Sequence, residues 1–139
     1  MMRAALAALL LALPAVAAPA PATPTMQISW FEIPATDLGR ARRFYEAVFG
    51  LQLTLETVDG YAMALFPDGG GALVQGDVYV PGKAGPILYF RVASIDAVMT
   101  RAIAAGGQQL YAKKDIGANG FVAEFQDSEG NRIALSQPR

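Results

Sequence analysis

The chain has 139 residues, enough for one domain with a buried core. Its net charge of −1 and pI of about 5.3 leave no basic field for a nucleic-acid backbone, which excludes that class of partner. It contains no cysteine and no histidine. No disulfide can staple it, and it lacks both the commonest transition-metal ligand and the usual general base at neutral pH.

Residues 1–17 read as a secretory signal peptide. Arg3 supplies a short positive region, Ala4 to Leu13 is a continuous apolar run, Pro14 breaks it, and Ala15-Val16-Ala17 offers small residues for cleavage. The cut is expected after Ala17, because a cut after Ala18 would place Pro19 directly after the scissile bond. The run is shorter than the ~20 residues that span a bilayer. Processing therefore leaves no stable membrane insertion, and the expected location is the periplasm or the outside of a bacterium. An uncleaved N-terminal anchor is the competing reading. Residues 18–25 (APAPATPT) read as a Pro/Ala-rich tether.

The folded part is expected over 26–137. Gln27 to Pro34 alternates as a first strand. Asp37 or Thr36 caps a helix whose Leu38, Ala41, Phe44, Tyr45, Val48 and Phe49 share one face, and Gly50 stops it. Leu51 to Val58 and Tyr61 to Phe66 are strands joined by the hairpin pair Asp59-Gly60, and Ala72 to Gln75 is a short fourth strand. Residues 76–86, rich in Gly and Pro, link two halves. The plan then repeats: strand Ile87 to Ala93, a helix capped by Ser94, strand Gln109 to Ile116, hairpin pair Asn119-Gly120, and strands Phe121 to Gln126 and Asn131 to Ser136. Strand–helix–strand–strand–strand occurring twice makes an α+β domain of two tandem βαβββ modules, 26–75 and 86–137.

Three stretches, FEIPATDLGRARRFYEAVFG, LYFRVASIDAVMTRAIAAGG and FQDSEGNRIALSQ, resemble the vicinal oxygen chelate superfamily of glyoxalase I, bleomycin- and fosfomycin-resistance proteins and extradiol dioxygenases. The branch it is most similar to is the glyoxalase-like group of lactoylglutathione-lyase-related proteins. The resemblance implies a U-shaped, eight-stranded mixed sheet around a cleft. Metal-bearing members place His and Glu ligands there, from strands one and four of each module. Carried onto this chain, those positions fall at Ile28 to Trp30, Leu73 to Gln75, Ile87 or Tyr89, and Ala134, none of them His, Glu or Asp. A transition metal needs at least three such ligands. No metal or other cofactor is therefore expected.

Strand alternation predicts that Phe31, Ile33, Leu88, Phe90 and Val92 face the helices, which leaves Ile28, Trp30, Glu32, Ile87, Tyr89 and Arg91 facing the cleft. Glu32 and Arg91 read as equivalent positions of the two repeats. They form an ion pair across the module junction, a polar anchor with Arg91 gripping a carboxylate or phosphate, or charges exposed at a strand end. Trp30, Glu32, Tyr61, Met63, Gln75, Tyr89, Arg91, Phe121 and Ser136 are the candidate ligand-binding residues. Tyr79, in the linker, reads as a lid residue or as packing for its own loop. The leading expectation is a secreted, metal-independent protein that binds a small aromatic or anionic organic molecule. A glyoxalase-type lyase or isomerase is the alternative; Glu32 would be its general base and would need burial to serve. A ligand-free structural or dimerisation module is the third reading. The resemblance makes a homodimer an expectation.

Overall fold

The computed structural model describes residues 15–20, 22 and 26–139. The expected leader apart from residues 15–17, and residues 21 and 23–25 of the expected tether, lie outside the described residues. Among the described residues no helix is long and apolar enough to cross a membrane.

The first module contains β1 (Phe31–Ala35), α1 (Leu38–Phe49), β2 (Thr54–Val58), β3 (Tyr61–Leu65) and β4 (Gly71–Gln75). The second contains β5 (Leu88–Arg91), α2 (Ile95–Ala104), β6 (Gln108–Asp115), β7 (Phe121–Gln126) and β8 (Arg132–Gln137). Helix α1 starts where its sequence can cap it. The Asp37 side chain accepts from Arg40 N at 2.9 Å, satisfying one of the orphan amides of the first turn. It ends at Gly50, whose φ of 67° lets its amide close back onto Glu46 O. Ser94 caps α2 in the same way through Ala97 N.

The eight strands form two four-stranded sheets, ordered β1-β4-β3-β2 and β5-β8-β7-β6. In each, the first strand pairs parallel with the fourth and the rest are antiparallel. Strands β1 and β5 are therefore sheet edges, and no ladder joins them into one continuous sheet. Strand β1 begins later than the expected Gln27 because its partner β4 begins at Gly71, opposite Phe31. The expected two-residue turn at Asn119-Gly120 is instead a longer one. A single 3-10 turn over Gly117–Asn119 is held by Asp115 Oδ1 accepting from Gly117 N at 2.8 Å. Asp59-Gly60 does form the tight turn, with φ of 49° and 81°.

Each helix lies on its own sheet, the helices touch, and the helix-facing sides of both sheets meet in one core. Rings interlock across it: Phe44 and Phe49 of α1 reach Phe125 of β7, and Phe31 and Phe66 reach Phe90 of β5. The last residue of each fourth strand ties down its own module's helix. Gln75 Oε1 accepts from Leu38 N at 2.7 Å, and Gln137 Oε1 accepts from Ile95 N at 2.8 Å.

A polar clasp joins the modules. The Asp127 side chain, 2% exposed, accepts from the Tyr45 hydroxyl (2.8 Å), Glu129 N (2.9 Å), Asn131 N (2.8 Å) and Asn131 Nδ2 (2.9 Å). Burial pushes the Tyr45 phenol well above its ordinary value, and the negative charge of Asp127 adds to that. Asn131 also donates to Pro34 O at 2.8 Å. Beside it Glu129 accepts from Thr36 N, Asp37 N and Arg40, fixing the start of α1 from the opposite module.

Candidate functional site

The helix sides are spent on the core except where a cleft opens beside Phe31, Phe49, Phe66 and Phe90, and the opposite faces of the two sheets are left uncovered by it. On the first sheet, cross-strand register sets Glu32, Ala72, Leu65 and Thr54 in one row and Pro34, Val74, Met63 and Glu56 in the next. Met63, Ala72 and Val74 form a small apolar shelf, with Tyr61, Leu65 and Tyr79 packed against it. Tyr79 reaches the shelf because the linker turns at Gly76: Tyr79 N donates to Gly76 O at 3.1 Å, and a side chain at Gly76 would begin 2.7 Å from the Tyr61 ring. The Tyr61 and Tyr79 rings then meet edge to face at 5.2 Å.

Glu32 stands at the rim of this shelf. Its Oε1 accepts from Trp30 Nε1 at 3.1 Å and its Oε2 from the Tyr79 hydroxyl at 2.8 Å. The bond to Glu32 raises the Tyr79 phenol above its ordinary value, so the hydroxyl remains a donor at neutral pH.

On the second sheet the rows are Tyr89, Ala134, Glu124, Tyr111 and Arg91, Ser136, Val122, Lys114. Glu124, 9% exposed, holds Arg132 through two hydrogen bonds of 2.6 and 3.0 Å. That contact raises the Arg132 guanidinium above its ordinary value. Tyr89 and Arg91, with Ile28 and Ile87 at the same rim, open onto a cleft of about 1000 Å³ whose walls include Phe31, Phe49, Phe66 and Phe90.

The structure divides the expected site. Trp30, Glu32, Tyr61 and Met63 are together on the first face, and Tyr89, Arg91 and Ser136 on the second. Glu32 and Arg91 do not pair. Glu32 lines a separate groove of about 580 Å³ along β1 and the linker, which Arg91 does not reach. Nor are the two equivalent. Glu32 lies opposite Ala72 and Tyr89 opposite Ala134, and those alanines precede Gln75 and Gln137 by the same step. Glu32 thus corresponds to Tyr89, and Arg91 to Pro34; β1 runs one helix-facing residue further, to the buried Ala35, than the expected end at Pro34. Gln75 points to the helix side, where it caps α1. Phe121 also packs on the helix side, against the core with Ala123 and Phe125. The alternation of FVAEFQ carried that signal, since Val122, Glu124 and Gln126 are the other face. Tyr111, Glu124 and Arg132 are site-face residues the sequence reading did not single out.

A profile of the Glyoxalase/Bleomycin resistance protein/Dioxygenase superfamily matches residues 27–135. The chain belongs to that superfamily. A glyoxylase-like domain-containing protein of Didymella fabae is 34% identical over 122 residues, covering 78% of this chain and 91% of its own length. CFP32 of Mycobacterium tuberculosis and Mycobacterium bovis, provisionally named a glyoxylase, is 29% identical over 116 residues; this chain spans only 44% of its length. TnmS3, an antibiotic binding protein from Streptomyces sp. CB03234, superposes with a TM-score of 0.61 at 22% identity, covering 85% of this chain and all of TnmS3. That last likeness is one of fold.

The superfamily's metal does not match the donors present. On the outer faces of β1, β4, β5 and β8 the side chains are Glu32, Pro34, Ala72, Val74, Tyr89, Arg91, Arg132, Ala134 and Ser136, with one carboxylate among them. Glu124 on the neighbouring strand is engaged by Arg132. Among the described residues no three His, Cys, Asp or Glu converge. A divalent transition metal would find too few ligands, and no chemical step is derived through one.

Proposed function

We propose that this protein is a metal-independent binder of a small organic molecule, acting in the periplasm or outside the cell after its leader is removed. The observation that carries the reading is the orientation of the sheets. Most of each helix side is taken up by a shared core, and the outward faces carry the aromatic and charged side chains Trp30, Glu32, Tyr89 and Arg91 outside it. Trp30 is 38% and Tyr89 53% exposed, a cost in apolar hydration that a ligand would remove. The antibiotic-binding TnmS3 shares this fold, which is in keeping with the proposal.

Within one chain Glu32 and Arg91 line separate grooves, so a single chain does not bring these two charges to one ligand. A homodimer would. Pairing the free edge of β1 with β5 of a second copy would set Trp30 and Glu32 across from the second copy's aromatic and arginine face, and would build an eight-stranded sheet from two chains. The general-base alternative gains nothing from the geometry, because Glu32 is exposed and bonded to two neutral donors.

A ligand screen read by Trp30 fluorescence tests the proposal, since Trp30 is the only tryptophan. Saturable spectral shifts that weaken in Tyr89→Ala are expected, together with a dimer mass by light scattering. Stoichiometric nickel, zinc, manganese or iron in purified protein would overturn the metal-independent part. A screen across cationic, anionic and neutral aromatics with no response would overturn the binding reading. N-terminal sequencing of exported protein is expected to begin at Ala18.

A further inference from the structure

Glu32 is an exposed carboxylate whose donors are neutral, a trait it shares with the buried Asp127 and the helix cap Asp37 and that sets it apart from five others. Glu46, Asp96, Asp115, Glu124 and Glu129 each hold a lysine or arginine. Glu32 is part of none of these ion pairs, although Lys83 and Arg132 line the same groove. Its partners are an indole N–H and a phenol O–H, both neutral. They fix the orientation of the carboxylate without cancelling its charge. Each oxygen accepts one of these bonds and keeps further lone-pair capacity.

Trp30 and Tyr79 each bond one oxygen of that carboxylate, the Tyr61 ring meets Tyr79, and both tyrosines pack on the Met63, Ala72 and Val74 shelf; Lys83 and Arg132 are on the groove side. A fixed negative charge bonded to electron-rich rings, at the rim of an apolar shelf, is complementary to a cation with an organic body. An anion there would meet Glu32 directly, and a neutral aromatic would leave the charge unanswered.

We propose that the outer face of the first module binds a protonated amine, with the ammonium on Glu32 and its apolar or aromatic body against Trp30, Tyr61 and Tyr79. The inference rests on the ligand-binding reading and narrows it to a chemical class for this half of the site. In the dimer, Arg91 of the second copy would be the group left to meet another part of the same molecule.

The test is titration of the full mature chain with phenethylamine, 2-phenylethanol and 3-phenylpropionate, three probes of one shape and three charges, followed by Trp30 fluorescence. The amine is expected to bind at least tenfold more tightly than the other two, with an affinity that falls as salt rises. Glu32→Gln is expected to abolish the preference. Tyr79→Phe removes a donor but not the charge, and is expected to keep the preference within about threefold; if the Gln variant does not fold, the ranking of the three probes on the unsubstituted chain decides. Equal or tighter binding of the alcohol or the acid, or a preference that survives in Glu32→Gln, overturns the amine assignment and leaves the ligand-binding reading intact. Silence from all three probes overturns the amine assignment as well, and the wider screen then decides whether ligand binding falls with it.

Discussion

Asp127→Ala removes the acceptor at the centre of the inter-module clasp. Four donors lose their partner: the Tyr45 hydroxyl, Glu129 N, Asn131 N and Asn131 Nδ2. Leaving a buried donor unpaired costs about 1–3 kcal/mol. Tyr45 is 0% and Asn131 5% exposed, so their donors carry the penalty, whereas Glu129 is in a half-buried turn. For these three donors the expected loss is about 3–9 kcal/mol, against a total of about 5–15 kcal/mol for a domain of this kind. Tyr45→Phe deletes one donor and leaves Asp127 three others, so it is expected to cost only about 1 kcal/mol. Urea unfolding followed by far-UV circular dichroism measures both, as shifts of the midpoint at constant slope. An Asp127→Ala loss below about 1.5 kcal/mol, or a Tyr45→Phe loss as large as that of Asp127→Ala, would refute the reasoning that the unpaired donors dominate.

Other outcomes follow from the same contacts. Burial raises Glu129, but Arg40 and the backbone amides outweigh it and hold the carboxyl below its ordinary value. Its stabilising contribution is therefore complete above the ordinary glutamate range and lost as pH falls through the lowered value; Glu129→Gln is expected to flatten the stability curve in that acid window and to cost about 1–2 kcal/mol at neutral pH. Tyr45 is raised, so its contribution is complete below its ordinary value of 10.0 and lost as pH climbs beyond it; in an absorbance titration its phenol is expected to ionise only as the fold opens. Gln75→Ala and Gln137→Ala each remove a cap from a helix start and are expected to cost about 1 kcal/mol apiece, additively, in thermal unfolding; an effect in one module alone would contradict the shared design. Gly76→Ala drives a methyl into the Tyr61 ring and is expected to cost about 1–3 kcal/mol and to release Tyr79 from Glu32, read as a changed Trp30 emission.

The sequence made the elements legible where the chemistry is local. Asp37 and Gly50 bound α1 at the residues the structure uses, and the doubled order of elements gave the two modules. Alternation correctly sorted Phe31 and Ile33 from Glu32, and Phe90 from Tyr89 and Arg91. What alternation cannot carry is how one sheet sits relative to the other. Alternation therefore leaves a Glu32–Arg91 ion pair open as one alternative, whereas the structure sets the two charges in separate grooves. Gln75 looked like a ligand contact because nothing in a fourth strand announces that its side chain reaches a helix amide 37 residues away in sequence. The Tyr79–Glu32 bond spans a linker, with a separation of 47 residues, and its geometry depends on a turn at Gly76. Phe121 is a different kind of miss, since its own strand held the answer.

The repeat is unequal in one respect. Each module carries its own helix cap, Gln75 or Gln137, but the acidic turn that grips the other module occurs once, in 127–131. The corresponding turn of the first module, Pro67 to Gly71, offers Asp68, which bonds only Gly70 nearby. A chain assembled from two first modules would possess both caps and no clasp. The halves are alike in plan but not interchangeable: the second module fastens the first, and the first, relieved of that duty, keeps Glu32 with no cation bound to it among the described residues.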